Sequence, residues 1–240
     1  MRVDHVVVAV PVRDEELLLG RCLDSVAAAV VALGAARPGL ATTVVLALDR
    51  CVDHSAEVAA RPGVVLVEAD LGSVGRARAA AVARGLLVAA ASGAPAAATW
   101  VANTDADCAV PTDWLVQQVD LAEAGADLVV GTVVPDHVAD PRVLRAWRAR
   151  HELREGHRHV HGANLGVRAS AYLEVGGFAP LPVHEDVTLV EAVRGSGRPW
   201  VATDRGRVRT SARATSRIDG GFASFLADLA VGDHPRAMHP

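Results

Sequence analysis

Residues Val6-Val7-Val8-Ala9-Val10 form an apolar run with no polar alternation. Valine is stiff at χ1 and favours strands. A strand with one wet face alternates polar and apolar residues. A strand without alternation is covered on both faces, as in a parallel sheet sandwiched between helices. Similar runs return at Thr43 to Leu48, Val64 to Val67, Ala96 to Ala102 and Asp127 to Val133. Segments of helical period separate several of them. This β-α-β-α alternation predicts a doubly wound α/β sheet with right-handed crossovers.

The connecting segments carry their own signals. Asp14-Glu15-Glu16 is expected to open a helix, with Leu17, Leu18, Cys22, Val26 and Val30 at helical spacing and acids suiting the first-turn dipole. Asp53-His54-Ser55 begins a short helix, and Pro111-Thr112-Asp113-Trp114 starts another. Gly72-Ser73-Val74-Gly75-Arg76-Ala77-Arg78 leads into an Ala-rich helix ending near Ala91. Glycines before a helix N-terminus can receive phosphate, but this spacing is neither Gly-x-Gly-x-x-Gly nor a P-loop. Farther on, Asp140 to Gly156 reads as an Arg-rich amphipathic helix and Gly176-Gly177-Phe178 as a turn. His184-Glu185-Asp186 precedes a helix from Val187 to Arg194. Gly220-Gly221-Phe222 precedes a final short helix, and a loose tail follows Gly232.

With 240 residues, 51% hydrophobic and 22% charged, the chain fits one domain over 1–240. We divide it into 1–108, 109–231 and a tail at 232–240. A net charge of −4 without a basic block argues against nucleic acid or an anionic membrane as the main partner. Cys22, Cys51 and Cys108 are scattered without a Cys-x-x-Cys, which points to a reducing, cytoplasmic setting. The N-terminus reads as a strand rather than a signal peptide. Gly85 to Ala102, broken by Ser92, Gly93 and Pro95, is a poor membrane span, and no integral membrane segment is expected.

The chemistry centres on Asp105-Ala106-Asp107, at the end of an expected buried strand. Ligand sites in open α/β sheets collect outside the carboxyl ends of the strands. Two carboxylates there suit a hard divalent cation, Mg²⁺ or Mn²⁺. The alternative is an ordinary acidic turn.

Five segments together resemble family 2 glycosyltransferases with the GT-A fold, the nucleotide-diphospho-sugar transferase-like α/β fold with a mostly parallel sheet flanked by helices. They are Val8 to Glu16, with Leu23 and Ser25 following; Leu48 to Asp53; Gly72 to Arg78; Asp105-Ala106-Asp107; and Gly162-Ala163-Asn164 through Gly176-Gly177-Phe178 to Glu185-Asp186. The resemblance implies that Pro11, Glu15 and Asp49 line the nucleobase and ribose pocket and that Arg78 lies near the nucleotide. It implies that Asp105 and Asp107 hold Mn²⁺ or Mg²⁺ on the donor diphosphate and that Asp186 is the catalytic base. Gly162, Asn164 and Glu185 would face the acceptor. The chain departs from the pattern at Asp14, where the family often has Asn, and at Ala79-Ala80-Ala81, where it often has Asn-x-Gly. The Gln-x-x-Arg-Trp motif of processive synthases is absent. The expected activity is transfer of one sugar from a nucleotide-diphosphate sugar to a hydroxyl of a metabolite, lipid head group or glycan, with inversion.

Rival readings are a retaining GT-A enzyme acting on a small acceptor, with Asp186 positioning it, and a non-catalytic nucleotide-sugar-binding relative. A nucleotidyltransferase would carry a Gly-rich basic loop where Pro11 to Glu16 stand. His157, His159 and His161 would share one face of a strand, where they could ligate zinc or face the acceptor. Arg209, Arg213 and Arg217 form either an anion-binding flap or a solvated helix face. Trp114 and Trp200 read as packing residues.

Overall fold

The computed structural model describes residues 1–136, 138 and 140–212. The expectations for Arg213, Arg217, Gly220-Gly221-Phe222, the final helix and the tail lie outside them. The described elements are β1 (His5–Val12), α1 (Leu19–Ala36), β2 (Ala41–Asp49), α2 (Ser55–Ala59), β3 (Val64–Ala69), α3 (Val74–Ala91), β4 (Thr99–Asn103) and β5 (Cys108–Ala109). Then come α4 (Trp114–Glu123), β6 (Leu128–Asp136), α5 (Pro141–Arg150), a 3-10 turn (Gly162–Asn164), β7 (Leu165–Arg168), α6 (Ala169–Glu174), α7 (Glu185–Gly195) and β8 (Trp200–Ser211).

The strands form one eight-stranded sheet in the order β3-β2-β1-β4-β7-β6-β8-β5. Strands β3, β2, β1 and β4 run parallel, as the valine-rich runs predict. The parallel order stops at β7, which is antiparallel to both β4 and β6. Strand β8 is parallel to β6, and short β5 is antiparallel to β8. The architecture is therefore mixed α/β, with its parallel half at the N-terminal end of the chain.

Alternate residues of β1 enter opposite core layers, as the two-residue period of a strand requires. Val6, Val8 and Val10 pack with the buried faces of α1 and α4, including Leu23, Val26, Leu115 and Val119. Val7 and Ala9 pack with α3 and α7, including Ala81, Val82, Leu189 and Val190. The Ala-rich composition of α3 has a steric cause. A Cβ on Gly85 would lie 2.1 Å from a Val7 methyl, so the helix approaches the sheet too closely for large side chains there. By length and composition α1 could cross a membrane, but Leu19, Cys22, Leu23, Val26, Ala29 and Leu33 are buried in this core.

Several local expectations are corrected. Helix α1 begins at Leu19, and Asp14-Glu15-Glu16 belong to the preceding turn. There Asp14 (φ 50°) accepts from the Val52 N–H at 2.8 Å. The Glu16 carboxylate accepts from the His54 N–H at 2.9 Å, and the Glu16 N–H donates to Asp53 at 3.0 Å. These acids staple the loop after β1 to the loop after β2 instead of capping a helix, and Leu17 is left 87% exposed. The Arg-rich helix ends at Arg150, and His157 to His161 is not a strand. Arg209 lies on a strand, β8, not on a helix.

Where β7 reverses, Arg168 sits fully buried at 1% exposure. It pairs with Asp127 at 2.6 Å and donates to the carbonyls of Ala97, Ala122 and Ala126 at 3.0, 2.7 and 3.2 Å. Its guanidinium also lies 5.8 Å from the Trp100 ring centroid. Breaking a buried pair from one side costs about 3–5 kcal/mol. Arg198 also pairs with Asp127, at 2.9 Å, so Arg168→Ala is expected to lose about 3 kcal/mol in urea unfolding, the lower end of that range.

Candidate active site

The predicted site residues gather where β1, β2 and β4 end. Pro11 is half-buried in β1, opposite Ala47 of β2. Glu15 is 7% exposed, and its N–H donates to the Ser55 hydroxyl at 2.7 Å. Asp49 closes β2 at 3% exposure. One of its carboxylate oxygens accepts from the N–H groups of Leu71 and Gly72 at 2.7 and 3.0 Å. Asp49 thereby shapes the loop into α3.

The glycines of that loop answer to packing. Gly72 has φ 70°, and a Cβ there would lie 2.8 Å from the Arg50 guanidinium. On Gly75 a Cβ would lie 2.2 Å from the Ala179 carbonyl oxygen, and the Gly75 N–H donates to Leu181 at 3.2 Å. The phosphate-receiving reading of these glycines is therefore not needed to explain them.

Strand β4 delivers Asp105 and Asp107 just beyond its carboxyl end. The two carboxylates and the Cys108 thiol present donor atoms all within 4.8 Å of one another. Half-buried carboxylate oxygens suit Mn²⁺ or Mg²⁺, so the donor set fits the cation expected there. Burial, reinforced by Asp107 and Asp105, pushes the Cys108 thiol well above its usual pKa. Burial also raises the Cys22 thiol, which donates to the Asp105 carbonyl at 3.3 Å. Both thiols therefore act as protonated supports of the loop. Strand β8 braces its far side, where the Ser211 N–H donates to the Asp107 carbonyl at 3.2 Å. Arg209 pairs with Ala109 in that register, and its guanidinium lies 3.8 Å from Asp136. A second cluster of possible ligand atoms, Asp14, Cys51 and Asp53, coincides with the loop staple, where Asp53 also caps Ser55 at 2.9 Å.

The other wall comes from the 3-10 turn and the start of α7. Asp186, half-buried, accepts from the Gly162 N–H at 2.6 Å. Glu185 is 4% exposed and bonds Arg78 at 2.9 Å. Burial raises the Glu185 carboxyl above its usual pKa, with Arg78 opposing and Asp186 adding to the rise. Asn164 is 2% exposed. Its oxygen accepts from the Trp114 indole at 2.9 Å, and its amide donates to Thr132 and Gly206 at 2.8 and 3.0 Å. Asn164 and Glu185, expected on the acceptor side, are held here as interior ties. Trp114 is the packing residue its sequence context suggested. Trp200, 39% exposed, stacks under Arg194 at 4.1 Å.

Arg78 joins the two walls, at 3% exposure. It donates to Glu185, to the Gly162 carbonyl at 3.0 Å and to the Asp105 carboxylate. Burial opposes its charge, but Asp105, Glu185 and Asp186 outweigh burial and raise its pKa further. The sequence resemblance put Arg78 near the nucleotide; the structure puts it beneath the cation motif as the central tie. One arginine in an Ala-rich helix carries no pattern that distinguishes the two.

The histidines form a stack, not a zinc cage. Trp147 and His151 stack at 4.4 Å, His151 and His159 at 4.8 Å, and His159 and His161 at 6.2 Å. His157 is buried with Nε2 at 3.1 Å from the Val130 carbonyl. Rings laid face to face do not converge their nitrogens, and the possible ligand groups among the described residues are the two acidic ones above.

The family model for glycosyl transferase family 2 matches residues 7–172, more than half the chain. The chain belongs to glycosyl transferase family 2. Its GT-A fold agrees with three solved structures. The Staphylococcus aureus TarS 1–349 structure superposes with TM-score 0.60 at 14% identity over 88% of this chain. The mannosyltransferase PcManGT of Pyrobaculum calidifontis, in complex with GDP-Man and Mn²⁺, gives 0.59 at 18% identity over 99%. A mycobacterial protein gives 0.58 at 19% identity over 95%. This chain spans 61%, 66% and 70% of those three chains. No curated protein sequence matches. The family match ends before Glu185 and Asp186, so these two residues rest on the geometry.

Burial and the charges of His151, His159 and His157 lower the His161 pKa to about 3. Burial also lowers His151 and His159. The folded state thus holds these rings neutral, while the unfolded chain takes up protons near pH 6.5. Their contribution is complete above that pH and is lost as pH falls towards 3. The melting temperature is expected to fall from pH 7 to pH 4, and more shallowly in His161→Leu.

Proposed function

We propose that this chain transfers a single sugar from a nucleoside-diphosphate sugar to an acceptor hydroxyl, with inversion at the anomeric carbon. The observation that carries this reading is the opposition of two carboxylate groups across the Arg78 tie. Asp105 and Asp107 stand at the end of β4, and Asp186 stands at the start of α7.

The nucleobase and ribose are assigned to the pocket at the ends of β1 and β2, with Pro11, Glu15 and Asp49. Asp105 and Asp107 would hold a divalent cation, which supplies Lewis-acid stabilisation of the departing diphosphate when bound. Asp186 receives the proton of the acceptor hydroxyl. Its bond from the Gly162 N–H fixes the direction in which the carboxylate points, as a base requires. The Gly162 carbonyl is held by Arg78, so the residue whose N–H holds the base is tied on both its N–H and its carbonyl. Removing the carboxylate charge leaves binding in place and removes proton acceptance, typically worth 10²–10⁴-fold.

The neighbour solved with GDP-Man and Mn²⁺ makes a GDP-linked donor with Mn²⁺ the first probe, and UDP the second. Thermal-shift titration is expected to show a nucleotide shift that needs Mn²⁺ and disappears in Asp105→Ala and Asp107→Ala. A ligand at 100 times its Kd stabilises by about 2.7 kcal/mol. Asp186→Asn is expected to keep that shift and lose about 10²–10⁴-fold in turnover. The product anomer read by NMR distinguishes inversion from retention. A folded protein that shifts with no nucleotide would sink the reading.

A further inference from the structure

A buried guanidinium is bonded to one of the carboxylate oxygens assigned to the divalent cation. The Arg78 guanidinium bonds an Asp105 carboxylate oxygen, and its other nitrogens are committed to Glu185 at 2.9 Å and the Gly162 carbonyl at 3.0 Å. It cannot withdraw easily. It starts from the fifth residue of α3, is 3% exposed, and lies 5.9 Å from the centroid of the Phe178 ring. On the fourth side a Cβ at Gly162 would come within 2.6 Å of it. A guanidinium keeps its charge at any working pH. Its charge therefore opposes any second cation brought to Asp105, across a short and partly desolvated distance.

We infer that Arg78 is a positioning residue that makes cation binding at Asp105 conditional on the donor: it ties up an Asp105 oxygen until a nucleoside diphosphate brings the compensating negative charge. The inference rests on the reading of Asp105 and Asp107 as the cation site. The same fork holds the carbonyl of Gly162, the residue whose N–H donates to Asp186. Charge at the donor side and the setting of the base are thereby linked through one side chain. Glu185 has the opposite effect. It takes a share of the guanidinium, and removing its charge commits Arg78 more fully to Asp105.

The test is Mn²⁺ binding to the nucleotide-free protein by titration calorimetry, repeated with GDP and with UDP present. The variants are Arg78→Met, Glu185→Gln and the double variant, which removes both members of the buried pair and leaves only the half-buried Asp105 without its partner, should Arg78→Met fail to fold. Without nucleotide, the double variant is expected to bind Mn²⁺ at least about tenfold more tightly than wild type, and Glu185→Gln no more tightly than wild type. The wild type should gain Mn²⁺ affinity on adding nucleotide, and the double variant should gain less. With a donor that turns over, Arg78→Met should lower kcat more than it raises the donor KM, because the support of Asp186 is lost.

Equal or weaker Mn²⁺ binding in the folded double variant would overturn the inference, since Arg78 would then organise Asp105 as a ligand. Absence of Mn²⁺ binding in the wild type and every variant, with and without nucleotide, would instead overturn the cation-site reading beneath it. The two failures are therefore distinguishable.

Discussion

The site depends on one guanidinium balanced against carboxylates away from water. Arg78 touches the loop after β4, the 3-10 turn before β7 and the first residue of α7. These segments are far apart in sequence, and the hydrophobic core does not specify how they should meet. A buried unpaired charge would be costly, so each partner is held in place by the cost of leaving the others unmatched. Arginine suits this better than lysine because its planar fork satisfies several acceptors in fixed directions. Gly162 completes the arrangement by its lack of a side chain.

A second set of polar ties sets the sheet around that centre. Asn164 fastens the 3-10 turn to Trp114, Thr132 and Gly206, and Gly131 leaves room for its amide. Arg168 fastens the other end of β7. A short strand running against both neighbours has few residues with which to fix its register, and these two anchors supply what four residues of ladder do not.

The parallel half of the fold was legible because valine-rich runs record burial on both faces. The loops after β1, β2 and β4, where such sheets place ligand sites, followed from the strand ends. The end of α3 at Ala91 was readable from local pattern; its start at Val74, inside the Gly72 to Arg78 stretch expected to precede it, was not. Nor was the reversal at β7. Leu165 to Arg168 is too short to show a period, and strand direction depends on the connection, not on composition. The acids at Asp14 to Glu16 were misread as a helix start because a capping acid and a loop-stapling acid look alike until the loop opposite is known. The histidine alternation predicted a strand, but stacking on Trp147 took precedence over period. The interior roles of Glu185, Asn164 and Arg78 depend on partners 27 to 107 residues away, which no local window contains.

The excursion between β6 and the 3-10 turn has its own small cluster, in which Val143 and Trp147 are buried against Val134, Val138, Leu144, Ala146, Leu153 and Ala212. It is separate from the two main core layers. Its histidine stack leads directly to Gly162, beside the proposed base. A segment that packs largely against itself is open to replacement without re-engineering the two main core layers. Under the proposed function, this is the region where the acceptor can be varied while the donor half is kept.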